Sequence, residues 1–353
     1  MKIAQIAPLY EAVPPKLYGG TELVVAALSE GLLELGHDVT VFATGDSRTK
    51  GRLVAARDQA LRLDDSPLKS DLGAHLAMLH EVRRQARSFD VLHFHTELLH
   101  FPVFEGLADR CVTTLHGRLD LKDLDRAYGA WDEFGLVSIS DQQRAPLPQG
   151  NWLATVPHGL PADAYHFSPR PGRYLAFLGR MAPEKGPDAA IRVALAAQMP
   201  IRIAAKIDAA DRAYFEAVVK PLLKHSLVEF VGEIGQQEKS QFLGDAIALV
   251  FPIRWPEPFG LVMIEATACG TPVVAFGAGA VPEIIEHGRS GLIVHHEAEA
   301  AAAVREVGAL PRGEIRAAFE QCFTSRRMAA DYLRVYAALP AAQRPQLARV
   351  SSL

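Results

Sequence analysis

Short apolar runs and amphipathic segments alternate along almost the whole chain, and past residue 157 the alternation starts afresh. Residues 2–7 read as a strand. Residues 21–35 read as a helix, with Thr21 at its N-cap and Gly36 as its stop. Residues 38–43 form the next strand and 71–88 the next helix. Short strands follow at 90–94, 112–115, 136–139 and 152–156. Apolar strands separated by helices predict a parallel sheet covered on both faces.

Residues 157–173 are rich in Pro, Gly and His and lack periodicity, as a linker would. Beyond them, strands are expected at 174–178, 201–205, 228–231, 246–251 and 272–276, with helices between. The expected plan is a first α/β domain over 1–157, a linker over 158–172 and a second α/β domain over 173–323. A helix over 324–340 packs back towards the first domain, and a poorly ordered tail covers 341–353. Two doubly wound halves would face one another across a crevice, and ligands of open α/β sheets bind at the carboxyl ends of the strands.

With 353 residues, two domains are the expectation, at roughly 100–200 residues each. The net charge of -4 argues against a general nucleic-acid surface or a polybasic membrane anchor. It remains compatible with peripheral membrane contact. Cys111, Cys269 and Cys322 are too few and too scattered for a disulfide framework or a metal knuckle. The first apolar run is too short for a signal peptide, and no run approaches the ~20 apolar residues that span a bilayer. A reduced, cytoplasmic protein is expected.

Two glutamates mark the expected site. Glu257 stands in a loop before a helix and Glu265 inside that helix, followed by a buried strand. A carboxylate at a helix mouth accepts hydrogen bonds from sugar hydroxyls, and the dipole favours its ionised form. On an ordinary surface helix, Glu257 would be a plain N-terminal carboxylate and Glu265 a solvated residue. Here Leu261, Val262, Met263, Ile264, Ala266 and Ala268 surround Glu265. A helix apolar on nearly all sides is buried, and a charge inside it needs a partner. Glu265 is therefore expected to face a cleft with a ligand.

Gly179 and Arg180 follow the first strand of the second half, and Lys185 precedes Pro187 at the expected start of a helix. A guanidinium, an ammonium and free backbone N–H groups suit a diphosphate; the plainer reading is a solvated loop. Gly19 and Gly20 lie between the first strand and helix, where paired glycines let a backbone approach a ligand or simply turn. No dinucleotide fingerprint stands there, and Pro282 interrupts the glycine run at Gly277 and Gly279. His93, His95 and His116 stand at strand ends. Without a third ligand they read as core histidines before they read as a metal site. Asp123 and Asp125 read as a solvated face, and no nucleophile elbow is present.

Taken together, these motifs resemble the family 4 retaining glycosyltransferases (glycosyl transferases group 1), whose GT-B fold is α/β with two Rossmann-like domains facing a central cleft. The likeness covers most of the chain. It rests on the opening strand, the Gly19-Gly20 loop, 90–95, 114–116, 157–159, Gly179-Arg180 with 184–186, the 257–265 element and 280–294. The family implies transfer of a sugar, with retention, from a nucleotide-diphosphate donor, UDP being favoured, to an acceptor the sequence does not name: a saccharide, a lipid or a small metabolite. It implies no cofactor and no metal.

On this likeness Arg180 and Lys185 would neutralise the leaving diphosphate, with Gly179 beside them. Glu265 would bind ribose hydroxyls. Glu257 would hold the transferred sugar with N–H groups near Phe259, Gly260 and Leu261. Gly19 and Gly20 would approach the donor, and His116 would line the sugar site. His95 and Ser140 would lie on the acceptor side. His158 stands where the family usually has Asn, which leaves contacts at the hinge open. Two other functions suit a two-domain cleft: a nucleotide-sugar epimerase of GT-B type and a non-catalytic sugar-binding protein.

Overall fold

A computed structural model describes residues 1–340; the expected tail over 341–353 lies outside the described residues. The first half carries seven strands: β1 (Lys2–Ile6), β2 (Asp38–Thr44), β3 (Arg52–Arg57), β4 (Val91–Phe94), β5 (Cys111–Thr114), β6 (Gly135–Ser138) and β7 (Trp152–Thr155). They form one sheet in the order β3-β2-β1-β4-β5-β6-β7, and every adjacent pair is parallel. The second half carries six: β8 (Tyr174–Arg180), β9 (Ile201–Lys206), β10 (Val228–Gly232), β11 (Ala246–Phe251), β12 (Val273–Phe276) and β13 (Gly291–Val294). Their order is β10-β9-β8-β11-β12-β13, again all parallel.

The central strands are continuous apolar runs because helices cover both of their faces. Strand order reverses between β1 and β4 and between β8 and β11. At such switch points neighbouring loops diverge and open a crevice at the carboxyl ends of the strands. The edge strands β3 and β13 escape the sequence reading. The β3 segment is only partly buried and ends in Arg52 and Arg57, so it lacks the apolar run that marks its neighbours. The β13 segment has four residues.

The first helix, Gly20–Glu34, begins one residue before the expected Thr21 cap. Gly19 occupies the cap position in extended backbone without a side-chain hydrogen bond, so Thr21 lies within the first turn. Gly36 ends this helix at φ +83°. Asp123 and Asp125 flank the start of the short helix Leu124–Ala130 and are both exposed.

The C-terminal helix, Ser325–Ala338, is capped by the Thr324 side chain and packs in one core with the first helix and β1. Its Tyr332 and Tyr336 are fully buried. Burying side chains of this size stabilises by roughly 2–3 kcal/mol each. Among the described residues no helix is long and apolar enough to cross a membrane.

Candidate active site

Where the two sheets face each other, a cavity of about 320 Å³ opens between their strand ends. Its wall gathers Gly19, Gly20 and His116 from the first half with Gly179, Arg180, Lys185, Glu257, Phe259, Gly260, Leu261 and Glu265 from the second. Residues as far apart as 19 and 265 in sequence thus share one space. A Cβ added to Gly20 would lie 3.3 Å from the Leu261 side chain, so the first half closes tightly on the second there.

Glu257 is 7% exposed. The loop after β11 turns sharply, with its N–H donating to the Trp255 carbonyl at 2.8 Å. Gly279, at φ +57°, backs this turn; a Cβ there would lie 2.3 Å from the Glu257 nitrogen. That pressure, not a phosphate site, explains one glycine of the run after β12. The Lys185 ammonium donates to Glu257 Oε2 at 2.5 Å and the Trp255 indole N–H to the same oxygen at 2.8 Å. Lys185 also lies 4.8 Å from the Trp255 ring centre, a cation–π contact.

Glu265 sits on the helix Leu261–Ala268 and is 3% exposed. Its charge is met by Lys239, whose ammonium donates to Oε1 at 3.0 Å, and by the Tyr165 hydroxyl at 2.9 Å on the same oxygen. From the sequence alone, a ligand is the expected partner. The structure supplies a lysine first, from the helix Gln236–Gly244, and still leaves Glu265 in the cavity wall. Each glutamate therefore spends both protein contacts on a single carboxylate oxygen.

Arg180, at the end of β8, donates to Glu184 at 2.6 Å and to Asp211 at 3.3 Å. Three nearby carboxylates, of Glu184, Asp211 and Asp208, hold it beside the cavity. The two cations and two glutamates singled out in the sequence thus converge.

His116 belongs to a buried polar chain. His95 bridges Gln5 Oε1 at 2.8 Å and His116 at 2.9 Å. An amide oxygen only accepts, so His95 carries its proton on Nε2 and accepts on Nδ1. His116 must then donate from Nε2, leaving its Nδ1 as an acceptor. The chain continues through the Gln5 amide nitrogen to the Tyr336 hydroxyl at 3.2 Å, on to His93 at 2.7 Å, then Thr114 at 2.7 Å and Tyr332 at 2.7 Å. Burial holds His93 and His95 well below the usual histidine range and pulls His116 down to about 3, so these rings are neutral. Both His93 nitrogens are occupied, which leaves no lone pair for a metal. Among the described residues no group of three or more His, Cys, Asp or Glu side chains is gathered as a metal site.

Ser140 is placed differently from the expectation. It is 1% exposed, caps the short helix Asp141–Arg144 and donates to the Pro258 carbonyl at 2.7 Å. Its hydroxyl is spent on joining the two halves and does not face an acceptor. Beside it, the Glu283 carboxylate accepts from the Asp141 and Gln142 backbone N–H groups at 2.8 Å each. His95 is buried behind His116 and lines a neighbouring cavity. His158 stacks on His116, ring centres 5.2 Å apart, and contacts Phe259 at 4.7 Å.

Sequence reasoning missed Lys239, Tyr165 and Trp255. Only the requirement that a buried Glu265 have a partner hinted at the first two, and nothing in their spacing names them.

Residues 18–144 match the family described as Glycosyltransferase Family 4, and residues 164–321 match Glycosyl transferases group 1. A phosphatidyl-myo-inositol mannosyltransferase of Mycolicibacterium smegmatis is 25% identical, over 90% of this chain and 87% of the relative. A D-inositol 3-phosphate glycosyltransferase of Mycolicibacterium gilvum is 26% identical, over 80% of this chain and 75% of the relative. Among solved structures, AviGT4, a glycosyltransferase involved in avilamycin A biosynthesis, superposes with a TM-score of 0.75 at 24% identity, covering 97% of this chain and 98% of that one. Anabaena Alr3699/HepE in complex with UDP and glucose gives 0.75 at 20% identity, covering 96% and 100%. With two facing parallel-sheet domains and both halves matched, the chain belongs to the family 4, group 1 glycosyltransferases and has the GT-B fold.

Proposed function

We propose that the cleft transfers a sugar, with retention at the anomeric carbon, from a nucleoside diphosphate sugar to an acceptor hydroxyl, and that the nucleotide is UDP. The observation that carries this reading is the convergence of Lys185, Arg180, Glu257 and Glu265 on one cavity beside the N-terminus of the helix Leu261–Ala268. That helix end supplies backbone N–H groups with no intrahelical partner. The UDP complexes of Alr3699/HepE favour the same nucleotide.

Glu265 Oε2, away from Lys239 and Tyr165, accepts from ribose hydroxyls. Glu257 Oε1, away from Lys185 and Trp255, accepts from hydroxyls of the transferred sugar. Nδ1 of His116 is a further acceptor on that sugar. The diphosphate lies against Lys185 and Arg180, and its arrival draws Arg180 from Glu184.

In the transfer, the anomeric C–O bond to the diphosphate breaks as the acceptor oxygen bonds to that carbon on the same face. The acceptor proton leaves on the departing phosphate oxygen. Charge grows on the diphosphate as the bond breaks, so fixed cations stabilise the transition state more than the ground state. Closure of the two halves excludes water from the donor.

The test is a panel of nucleotide sugars assayed for hydrolysis and for thermal shift, with the anomeric configuration of the product read by NMR. A UDP-sugar that is turned over with retention is the expected result. Inversion of configuration, or binding of sugars with indifference to every nucleotide, would sink the reading.

A further inference from the structure

Tyr18, Gly19, Gly20 and Thr21 form a wall shared by the donor cavity and a second cavity of about 800 Å³. The second cavity reaches His95, whose ring holds His116 on the donor side. We propose that this cavity seats the acceptor, and that the acceptor is an uncharged polyhydroxylated molecule, a saccharide or polyol, from which phosphorylated compounds are excluded. The proposal rests on the glycosyl-transfer reading above.

Among the residues lining the donor cavity, three cations (Arg180, Lys185, Lys239) face two carboxylates (Glu257, Glu265), as suits a diphosphate. In the second cavity the balance reverses. Two cations, Arg62 and Lys206, face five acidic side chains: Glu11, Glu22, Asp71, Glu97 and Asp208.

Both cations are already matched. Arg62 pairs with the buried Glu11 at 2.5 Å and also donates to the Tyr18 carbonyl at 2.7 Å. Lys206 pairs with Asp208 at 2.5 Å. Even with Glu22 protonated, a phosphate entering here would meet four other acidic side chains against two cations, with like-charge repulsion.

The surplus acids have little ionic work to do. Glu97 accepts from the His116 and Gly117 backbone N–H groups at 3.1 and 3.2 Å, so it holds the loop after β5 in place. Glu22 is 4% exposed and accepts from the Glu11 N–H at 3.3 Å; burial pushes its carboxyl up to about 7, so near neutral pH its protonated and ionised forms are both populated.

Tyr10 is 50% exposed in the cavity wall, with its ring 5.2 Å from that of His75. His75 is fixed by the Leu9 N–H at 3.0 Å and the Asp71 carbonyl at 2.7 Å. A held aromatic face beside hydrogen-bonding carboxyls suits a ring with one apolar face and a rim of hydroxyls. The inositol phosphate and phosphatidylinositol in the names of two relatives carry phosphate, so this wall marks a divergence in acceptor.

The test uses matched pairs as acceptors: glucose against glucose 6-phosphate, myo-inositol against inositol 1-phosphate, and a panel of neutral di- to tetrasaccharides. Transfer is measured with the nucleotide sugar that is hydrolysed fastest, and calorimetric binding to the UDP-loaded protein reads the same preference without turnover. Uncharged members should exceed phosphorylated ones by at least about tenfold, the factor that about 1.4 kcal/mol of discrimination supplies.

Glu11→Gln, which frees Arg62, should narrow that gap by about the same factor, and Asp208→Asn, which frees Lys206, should act in the same direction. Tyr10→Ala should raise the acceptor KM several-fold. Preference for a phosphorylated member overturns the proposal. So does the absence of binding and transfer for every uncharged compound while donor hydrolysis persists. Failure of the donor reading has a different signature: no UDP binding and no hydrolysis with any nucleotide sugar.

Discussion

Lys185 and Glu257 form a 2.5 Å ion pair that ties the loop after β8 to the loop after β11 in the wall of the donor cavity. On the proposed reading the pair places a cation where diphosphate charge grows and a carboxylate where sugar hydroxyls arrive. Lys185→Ala should lower turnover by about 10²–10³, the loss typical of removing one fixed donor to a developing charge. The variant should fold with a lowered melting temperature, because the side chain is only 13% exposed and its loss leaves Glu257 with the Trp255 N–H. Wild-type turnover in the folded variant would remove Lys185 from the diphosphate role.

Lys239 and Glu265 make two separable contributions. Glu265→Ala leaves the Lys239 ammonium without its carboxylate in a wall where that side chain is only 10% exposed. Breaking a buried pair this way costs about 3–5 kcal/mol, whereas replacing both partners with apolar residues is often neutral. The double variant Lys239→Met/Glu265→Leu should therefore regain most of the stability that Glu265→Ala loses. Its UDP affinity should stay about 10–100-fold weaker than wild type, because a charged hydrogen bond to ribose is worth about 1.5–3 kcal/mol. Calorimetry and urea unfolding read the two quantities apart; full recovery of affinity would rule out the ribose contact.

His95 acts through His116. In His95→Phe the His116 Nε2 proton loses its acceptor, and an unpaired buried group costs about 1–3 kcal/mol. His116 should turn or change tautomer, lowering kcat about tenfold or more while the donor KM changes little. Nitrogen-15 spectra of the wild type should show His116 neutral and protonated on Nε2 from pH 5 to 8. A protonated Nδ1 in those spectra would contradict the wiring through Gln5.

Acid should unfold the protein from the first half. Burial keeps His93, His95 and His158 neutral well below the usual histidine range and His116 down to about 3. The unfolded chain binds these protons near pH 6.5, so between that value and the folded pKa it holds more protons than the native state. Stability then falls as pH drops, by up to about 1.4 kcal/mol per histidine per pH unit. Glu22, raised to about 7, acts with the opposite sign between pH 4.5 and 7, where its native form keeps a proton the unfolded chain has released. It offsets only part of four histidines. Urea midpoints should drop steeply from pH 6.5 to 5; a flat profile would mean the rings are charged in the fold.

Most of the architecture was legible because buried parallel strands are apolar runs, and β1, β2, β4 and β11 stand out as such. The partly exposed β3 lacks that mark and was missed. The residues that gather at the cleft were legible because loops at strand ends keep chemistry-bearing types beside glycine and proline, as around Arg180 and Glu257. What stayed hidden was pairing at a distance. Lys239 reaches Glu265 from a helix with no motif, and Ser140 meets Pro258 across the halves through a contact that only the folded chain creates. Net charge concealed the opposed balances of the two cavities, since a chain total says nothing of how charge is shared between walls.

The hydrogen bonds from Tyr336 to His93 and from Tyr332 to Thr114 join the last described helix to the middle of the first sheet. Synthesis proceeds from the N-terminus, and a domain generally folds as a unit once its residues have emerged. Here the opening half cannot complete its interior until more than 300 residues have been made, because His93 Nδ1 and the Thr114 hydroxyl meet Tyr336 and Tyr332 from the far end of the described chain. A nascent chain halted before Thr324 would hold an unfinished first half beside a finished second one.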